Sequence, residues 1–223
     1  MQIGKIKKGF TLSEVLVTLA ILGVIAAATI PILITATNNA ASVDGLKRAD
    51  LMLKTATSTL MANNGGTMNY LVAANDYNSE MNKYCTVLNC INKCNIGTSG
   101  CFNTQAYTKT LYGGSFPDTI SSYSSAILSN GMTMYFAASS CTSATYCGYI
   151  VIDVNGFKPP NILGRDIFEF QVAPNGIFAI GSMNSTNGYN NTNWTTYCNP
   201  SSSNSSSGIG CAGRVLIQNV MSY

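Results

Sequence analysis

The sequence predicts an α+β fold, in which a long N-terminal helical stem, transmembrane in its first half, packs on a head built around an antiparallel β-sheet. Three observations lead to this prediction. A stretch without any charged residue runs from Val15 to Ile34. An amphipathic helical pattern follows it, and short strand-like runs separated by turn residues fill the last part of the chain.

The uncharged stretch is long enough to cross a bilayer. A helix rises about 1.5 Å per residue, so Val15–Ile34 would extend roughly 30 Å, the thickness of the hydrocarbon core. Lys5, Lys7 and Lys8 precede it in a basic leader that ends at Gly9. A secretory signal has its cleavage site after the apolar region, whereas the junction here lies before it. Cleavage after Gly9 would therefore keep the apolar segment in the mature protein.

The residues at this junction carry a resemblance to a known family. The run Gly9-Phe10-Thr11-Leu12-Ser13-Glu14, the apolar residues after it and Pro31 resemble the processing and methylation signature of type IV pilins and type II secretion pseudopilins. The resemblance implies cleavage between Gly9 and Phe10 by a membrane-embedded prepilin peptidase and N-methyltransferase, which also methylates the new Phe10 amine. It implies a pilin-like fold and assembly of many copies into a helical filament by an inner-membrane assembly platform.

The resemblance also implies two successive locations and a division of the chain. The precursor would be a single-pass protein of the cytoplasmic membrane, and the assembled subunit would lie in an extracellular pilus or a periplasmic pseudopilus. We expect a cleaved leader at 1–9, a transmembrane and filament-core helix at 10–37, an amphipathic continuation of the stem at 38–64, and a disulfide-stapled head at 65–223.

Three positions in the stem are candidates for assembly: Phe10, Glu14 and Pro31. A carboxylate near the bilayer interior costs about 2.5–3.5 kcal/mol on insertion scales, so Glu14 marks a functional position unless it snorkels to the interface. The resemblance implies that Glu14 pairs with the Phe10 amine of a neighbouring subunit. Pro31 removes one backbone donor and predicts a bend or a locally melted turn. Either it is a simple kink, with the freed carbonyl satisfied by Thr29 or packed neighbours, or it makes the stem compliant during assembly.

The second half of the stem has one apolar face. The positions on it recur at helical spacing and are Ser42, Leu46, Ala49, Leu53, Ala56 and Leu60. We expect this face to pack on the head. Asp44 with Arg48 and Asp50 with Lys54 have the i, i+4 spacing of ion pairs. The glycines of the segment 63–66 predict the end of the helix.

The head is predicted to contain one helix and four strands. The helix is expected at Ser115–Leu128. The strands are expected at Met132–Ala137, Tyr149–Val154, Ile167–Val172 and Ile177–Ile180, with a tight hairpin turn at 174–176 between the last two.

The eight cysteines, all in the head, predict disulfides formed in an oxidising compartment. They fall into three local groups, which are Cys85, Cys90, Cys94 and Cys101; Cys141 and Cys147; and Cys198 and Cys211. Local pairing is expected, with the connectivity of the first four left open. Cys198 with Cys211 also resembles the C-terminal disulfide loop of many pilins. A zinc site in the first group is the alternative, but the spacing lacks the short hairpins of common zinc modules.

The segment 151–168 resembles a head motif of bacterial pilin-like proteins. Asp153, Asn155 and Asp166 in it offer the hard oxygen ligands that calcium prefers. The alternative is purely structural, with Asn155-Gly156 forming a turn and Asp166 capping or pinning the loop. No other cofactor is expected.

Composition limits the function classes. Three of the twelve basic residues lie in the leader, which leaves nine against nine acidic residues, scattered rather than clustered. Nucleic acid is therefore not favoured as a partner. The chain has no histidine and no carboxylate pair with catalytic spacing, so an enzyme is not expected.

The sequence favours a structural subunit of a type IV pilus. The alternatives are a pseudopilin that drives protein export through a type II secretion system, and a minor or tip pilin acting in adhesion or DNA uptake. For such a binding subunit the aromatic residues Tyr189, Trp194 and Tyr197 are the candidate surface, with loop packing as the other interpretation.

Overall fold

The computed structural model describes residues 9–69, 71, 76–104, 108–115, 118–138, 141, 146–185 and 188–223. The chain forms two compact units, 1–39 and 40–223. The helices are α1 (Leu12–Ala62), α2 (Tyr77–Val87), α3 (Trp194–Tyr197) and α4 (Cys211–Gln218). The strands are β1 (Cys90–Cys94), β2 (Ser124–Leu128), β3 (Thr133–Ala138), β4 (Gly148–Asp153), β5 (Ile167–Ala173) and β6 (Gly176–Ala179). Short 3-10 turns lie at Ile120–Ser122 and Asn191–Asn193.

Helix α1 is long and apolar enough to cross a membrane, with a mean hydropathy of 2.6 in its most apolar window. It continues through Pro31 without interruption, so the locally melted turn expected there is wrong. Threonine hydroxyls bond carbonyls on both sides of the proline: Thr29 donates to Ile25 at 2.9 Å and Thr35 to Pro31 at 3.0 Å. The missing N–H of Pro31 leaves the carbonyl of Ala27 free. Thr29 bonds the carbonyl of Ile25 instead.

The second half of α1 buries the predicted face. All six of its positions are buried, and the apolar ones belong to the main core of the head. Gly45 lies beside Val154: a Cβ at this glycine would come within 2.9 Å of the Val154 Cβ. The helix therefore lies closer to the end of β4 than a side chain at position 45 would allow.

The polar side of α1 is only partly as predicted. Lys54 Nζ and Asp50 Oδ2 pair at 2.8 Å, as expected. The predicted ion pair between Asp44 and Arg48 is wrong. The Asp44 carboxylate lies 3.8 Å from Lys47 Nζ, and Arg48 donates to the Asp44 backbone carbonyl. The helix ends as predicted, since Gly66 has a positive φ and its N–H donates to the Met61 carbonyl at 2.8 Å.

The sheet is a six-stranded antiparallel meander in the order β1-β2-β3-β4-β5-β6. The four predicted strands are confirmed to within one residue at each end. The hairpin is confirmed as well, because Ala173 and Gly176 are paired across the two-residue loop 174–175. Alternate residues such as Phe136, Ile152 and Phe170 share the core that contains the buried face of α1.

The opposite face of the sheet is also buried, under a second core that includes Phe102, Tyr135 and Val151. Polar side chains on this face are therefore enclosed rather than solvated. Glu169 and Asp153 are both buried, and burial raises the pKa of each carboxyl. The strand pattern alone does not show that both faces are covered.

The predicted helix at Ser115–Leu128 is wrong. Within that range the described residues form the turn Ile120–Ser122 and strand β2, which pairs with both β1 and β3. The physical reason is tertiary, since the apolar spacing also fits a strand and the pairing on both sides satisfies its backbone groups. Helices α2, α3 and α4 and strand β1 were not predicted. Helix α2 carries a start signal in Asp76, whose carboxylate accepts from the Ser79 N–H at 3.2 Å.

All eight cysteines are paired locally. The disulfides are Cys85–Cys90, Cys94–Cys101, Cys141–Cys147 and Cys198–Cys211. This arrangement resolves the open connectivity of the first group, and it leaves no thiolate for the alternative zinc site.

Candidate functional site

The predicted cleavage junction lies just before α1. Gly9 and Phe10 precede the helix, and Phe10 is 88% exposed. A Cβ placed on Gly9 would meet no atom within 4 Å, so the described part of the chain leaves this backbone open. A peptidase can therefore approach the Gly9–Phe10 bond without displacing a described residue.

Glu14 forms a reciprocal cap with Thr11 at the start of α1. Its Oε2 accepts from the N–H and from the hydroxyl of Thr11, both at 2.9 Å, and the Glu14 N–H donates to the Thr11 hydroxyl at 3.2 Å. This is the capping box of a Thr-x-x-Glu sequence. The sequence-based predictions did not include this role, although the spacing signals it. Oε1 accepts no hydrogen bond from a described residue, so one carboxylate oxygen is left for another partner.

The apolar residues of α1 that follow this cap are exposed. The large ones with more than two fifths of their surface exposed are Leu12, Val15, Leu16, Val17, Leu19, Ile21, Leu22, Val24, Ile25, Ile30, Ile32, Leu33 and Ile34. A contiguous apolar surface of this length is unfavourable in water, because burial of apolar area is the main favourable term in association. This part of α1 therefore requires lipid or other protein around it.

The structure brings together the three predicted ligand residues of the head. Asn155 Nδ2 lies 3.2 Å from Asp166 Oδ2, and the Asn155 N–H donates to Asp153 Oδ1 at 3.1 Å. Asp166 also accepts from the backbone N–H groups of Asn161 at 2.8 Å and Ile162 at 2.7 Å. These bonds pin the loop before β5, as the structural interpretation expected.

Asn103 completes this group and was not predicted from the sequence. Its Nδ2 lies 3.4 Å from Asp153 Oδ2, 3.3 Å from the Gly156 carbonyl oxygen and 2.6 Å from Asn161 Oδ1. One amide nitrogen therefore faces three oxygens with only two hydrogens to donate. Asn103 lies 50 residues before Asp153, and no local spacing could have linked them.

Burial raises the pKa of both carboxyls in this cluster. Burial, and then the charge of Asp166, raise the pKa of Asp153 to about 8. Burial also raises the pKa of Asp166, against several hydrogen bonds that lower it. Asn155 Oδ1 is buried and has no hydrogen-bond partner among the described residues. The cluster thus offers carboxylate and amide oxygens to a hard cation, which would have to displace protons and N–H donors.

The aromatic candidates for a binding surface are packed within the head. The rings of Tyr189 and Tyr197 meet edge to face at 4.5 Å. Trp194 Nε1 donates to the Gly181 carbonyl at 2.8 Å, and the guanidinium of Arg214 lies 5.9 Å from the Trp194 ring. These contacts agree with loop packing.

Comparison with known proteins identifies the N-terminal segment. Residues 4–30 match the family model described as the prokaryotic N-terminal methylation motif. The comparisons with curated proteins and with solved structures gave no significant match. The motif, the apolar helix that continues from it and the antiparallel head occur here in one chain. The chain therefore carries the signature of the type IV pilin and pseudopilin family.

Proposed function

We propose that the protein is a structural subunit of a type IV pilus. Prepilin peptidase cleaves it between Gly9 and Phe10 and methylates the new amine, and an inner-membrane assembly platform then inserts it into the filament. The apolar half of α1 forms the filament core and the disulfide-stapled head forms the outside. The subunit has no enzymatic role in this proposal.

One observation carries the proposal: the methylation motif continues directly into a helix whose apolar side chains are exposed. Cleavage before such a helix leaves this surface in the mature subunit. In the membrane precursor lipid covers it, and in a filament the same helix of neighbouring copies can replace lipid. Such a change of surroundings keeps the apolar area out of water at every stage.

Glu14 supports assembly by charge in this proposal. Its Oε2 is held by Thr11, while Oε1 remains available for the methylated Phe10 amine of a neighbouring subunit. Methylation keeps that amine cationic, so the pair survives the modification. Loss of either charge would leave the other unpaired in an apolar filament core, which is costly.

The charge and the cap can be separated by two variants. Glu14→Gln retains the capping geometry, because glutamine also serves at this position of a capping box, but it removes the charge. Glu14→Ala removes both. We expect both variants to be inserted and cleaved, and neither to enter filaments. Wild-type filament yield from Glu14→Gln would contradict the charge pairing.

The pilus role is tested by mass spectrometry of filaments sheared from native cells. An abundant N-methylated Phe10 peptide in the sheared material is the expected result. If that peptide is present in the membrane fraction and absent from sheared filaments, the pilus proposal is wrong and a pseudopilin or a scarce accessory subunit takes its place.

We also propose that the Asp153 cluster holds calcium. Both carboxylates, the unpartnered Asn155 Oδ1 and the Asn161 side-chain oxygen would serve as ligands, with Asn103 turned to present its own oxygen. The N–H donors around Asp166 oppose the proposal, since they already occupy part of its oxygens. We expect calcium to raise the thermal stability of the unaltered protein, and we expect Asp153→Ala to abolish this effect. If calcium does not stabilise the unaltered protein, the proposed calcium site is wrong.

A further inference from the structure

A pocket of about 270 Å³ opens on the head between the loop after β1 and the 3-10 turn before β2. Its floor is formed by Phe102, Ile120 and Ser125, which are buried. Hydroxyl side chains stand around it, among them Ser99, Thr119 and Ser121. Its lining includes no residue of the apolar helix and none of the carboxylate cluster described above.

The walls of the pocket are fixed by covalent and hydrogen bonds. The Cys94–Cys101 disulfide closes the loop after β1, and the Gly97 N–H donates to the Ser121 carbonyl at 2.9 Å, which joins that loop to the opposite wall. Phe102 packs edge to face on the fully buried Tyr135 with ring centroids 5.0 Å apart. A ligand would therefore meet a shape that already exists, which lowers the entropic cost of binding.

The hydroxyl of Ser125 is the most informative group in the pocket. Ser125 is 4% exposed and lies in β2, paired with Cys94 on one side and Tyr135 on the other. Its hydroxyl has no hydrogen-bond partner among the described residues, and the same is true of the hydroxyls of Thr119 and Ser121. The Ser125 hydroxyl is not one of the enclosed polar atoms that lack a partner, so it faces the open pocket, where a ligand can displace water and bond it.

The lining restricts the chemistry of that partner. No described lining residue is ionisable, so an anion or a cation would lose its hydration without gaining a counter-charge. A purely apolar ligand would leave the hydroxyls unpaired. A ligand with hydroxyls at its edge and an apolar C–H face can bond the hydroxyls of the lining and also pack on Phe102 and Ile120. The volume lies just below the roughly 300–1,000 Å³ of pockets for drug-sized ligands, which suits a single ring.

We propose that this pocket binds a neutral monosaccharide unit of a glycan. The sugar hydroxyls bond Ser125 and the hydroxyls of the rim, and the C–H face of the ring lies on Phe102 and Ile120. This binding does not require filament assembly, so its failure and the failure of the pilus role can be told apart.

The test is ligand-observed NMR on the full chain, held in a detergent without a sugar headgroup. The probes are free glucose, galactose, mannose and N-acetylglucosamine, with sialic acid as a charged comparison. We expect saturable binding of at least one neutral sugar and none of sialic acid. Absence of saturable binding for all four neutral sugars, or preference for sialic acid, overturns the proposal.

Three variants place the binding in this pocket. Ser125→Ala removes the hydroxyl that faces the pocket without filling space and should weaken binding about three- to tenfold, the effect of one neutral hydrogen bond. Thr119→Trp fills the mouth from an exposed position and should abolish binding. Ser122→Ala changes a neighbouring exposed hydroxyl outside the lining and should leave binding unchanged. Circular dichroism checks that each variant is folded, and unchanged affinity in folded Ser125→Ala and Thr119→Trp overturns the assignment.

Discussion

The Asp153 carboxyl should make the head less stable as pH rises, the reverse of ordinary acid denaturation. Its pKa is raised from 3.8 to about 8 by burial and by Asp166. A group whose pKa is higher in the folded state takes up a proton on folding, so its stabilising contribution is complete below pH 4 and is lost as pH rises to 8. A tenfold difference in proton affinity between the folded and unfolded chain corresponds to about 1.4 kcal/mol, so the loss is on the order of 6 kcal/mol over that window.

The other carboxyls of the head with a raised pKa also make the folded state less stable as pH rises. Burial raises the pKa of Asp118, Asp166 and Glu169 as well. These groups therefore add to the decrease of the unfolding free energy with rising pH. The contribution of Asp153 is isolated by Asp153→Asn, which resembles the protonated form. This variant should be more stable than the unaltered protein at pH 8, should differ little at pH 4, and should show a shallower pH dependence.

The assay is denaturant unfolding of the full chain in detergent with a metal chelator present, followed at several pH values between 4 and 8. Asp44→Asn serves as the control, because Asp44 is an exposed acid on α1 and should leave the slope unchanged. A free energy of unfolding that is flat or rises with pH, or an identical slope in Asp153→Asn, would refute the reasoning.

Because calcium binds the ionised carboxylates, added calcium should stabilise more at pH 8 than at pH 5 if the ion site exists.

Three further variants test the packing of the head. Leu53→Ala removes a fully buried side chain and should cost about 2–5 kcal/mol of unfolding free energy, whereas Leu51→Ala, 69% exposed on the same helix, should change it little; equal effects would contradict the buried face of α1. Gly45→Ala should destabilise by about 1–3 kcal/mol through its contact with Val154, and Val154→Ala should recover part of that loss in the double variant; a stabilising Gly45→Ala would contradict the close approach. Replacing both cysteines of the Cys198–Cys211 disulfide by serine should cost about 3 kcal/mol in the loop-entropy model, measured under non-reducing conditions, and an unchanged midpoint would contradict a stabilising role for this bond.

Local sequence was sufficient for the elements whose signal lies within a few residues. The leader and apolar helix are encoded by consecutive residues, and the buried face of α1 by a regular spacing. The hairpin at 174–176 is encoded by turn residues between two alternating runs, and local cysteine pairing by short separations. Each of these features depends on backbone geometry or hydrophobic period, which a sequence displays directly.

The tertiary structure decided the rest, because long-range pairing overrides local preference. Helical spacing predicted a helix where β2 forms, since the apolar period could not show that two other strands would pair with it. Asn103 joins Asp153 across 50 residues of chain, and the pocket brings Ser125 of β2 together with Ser99 and Phe102 of a separate loop. The sequence by itself determined that this chain carries the prepilin-type methylation motif and continues it with a helix that is apolar enough to cross a membrane. Only folding decided which polar groups are enclosed together, because burial and proximity are properties of the packed molecule.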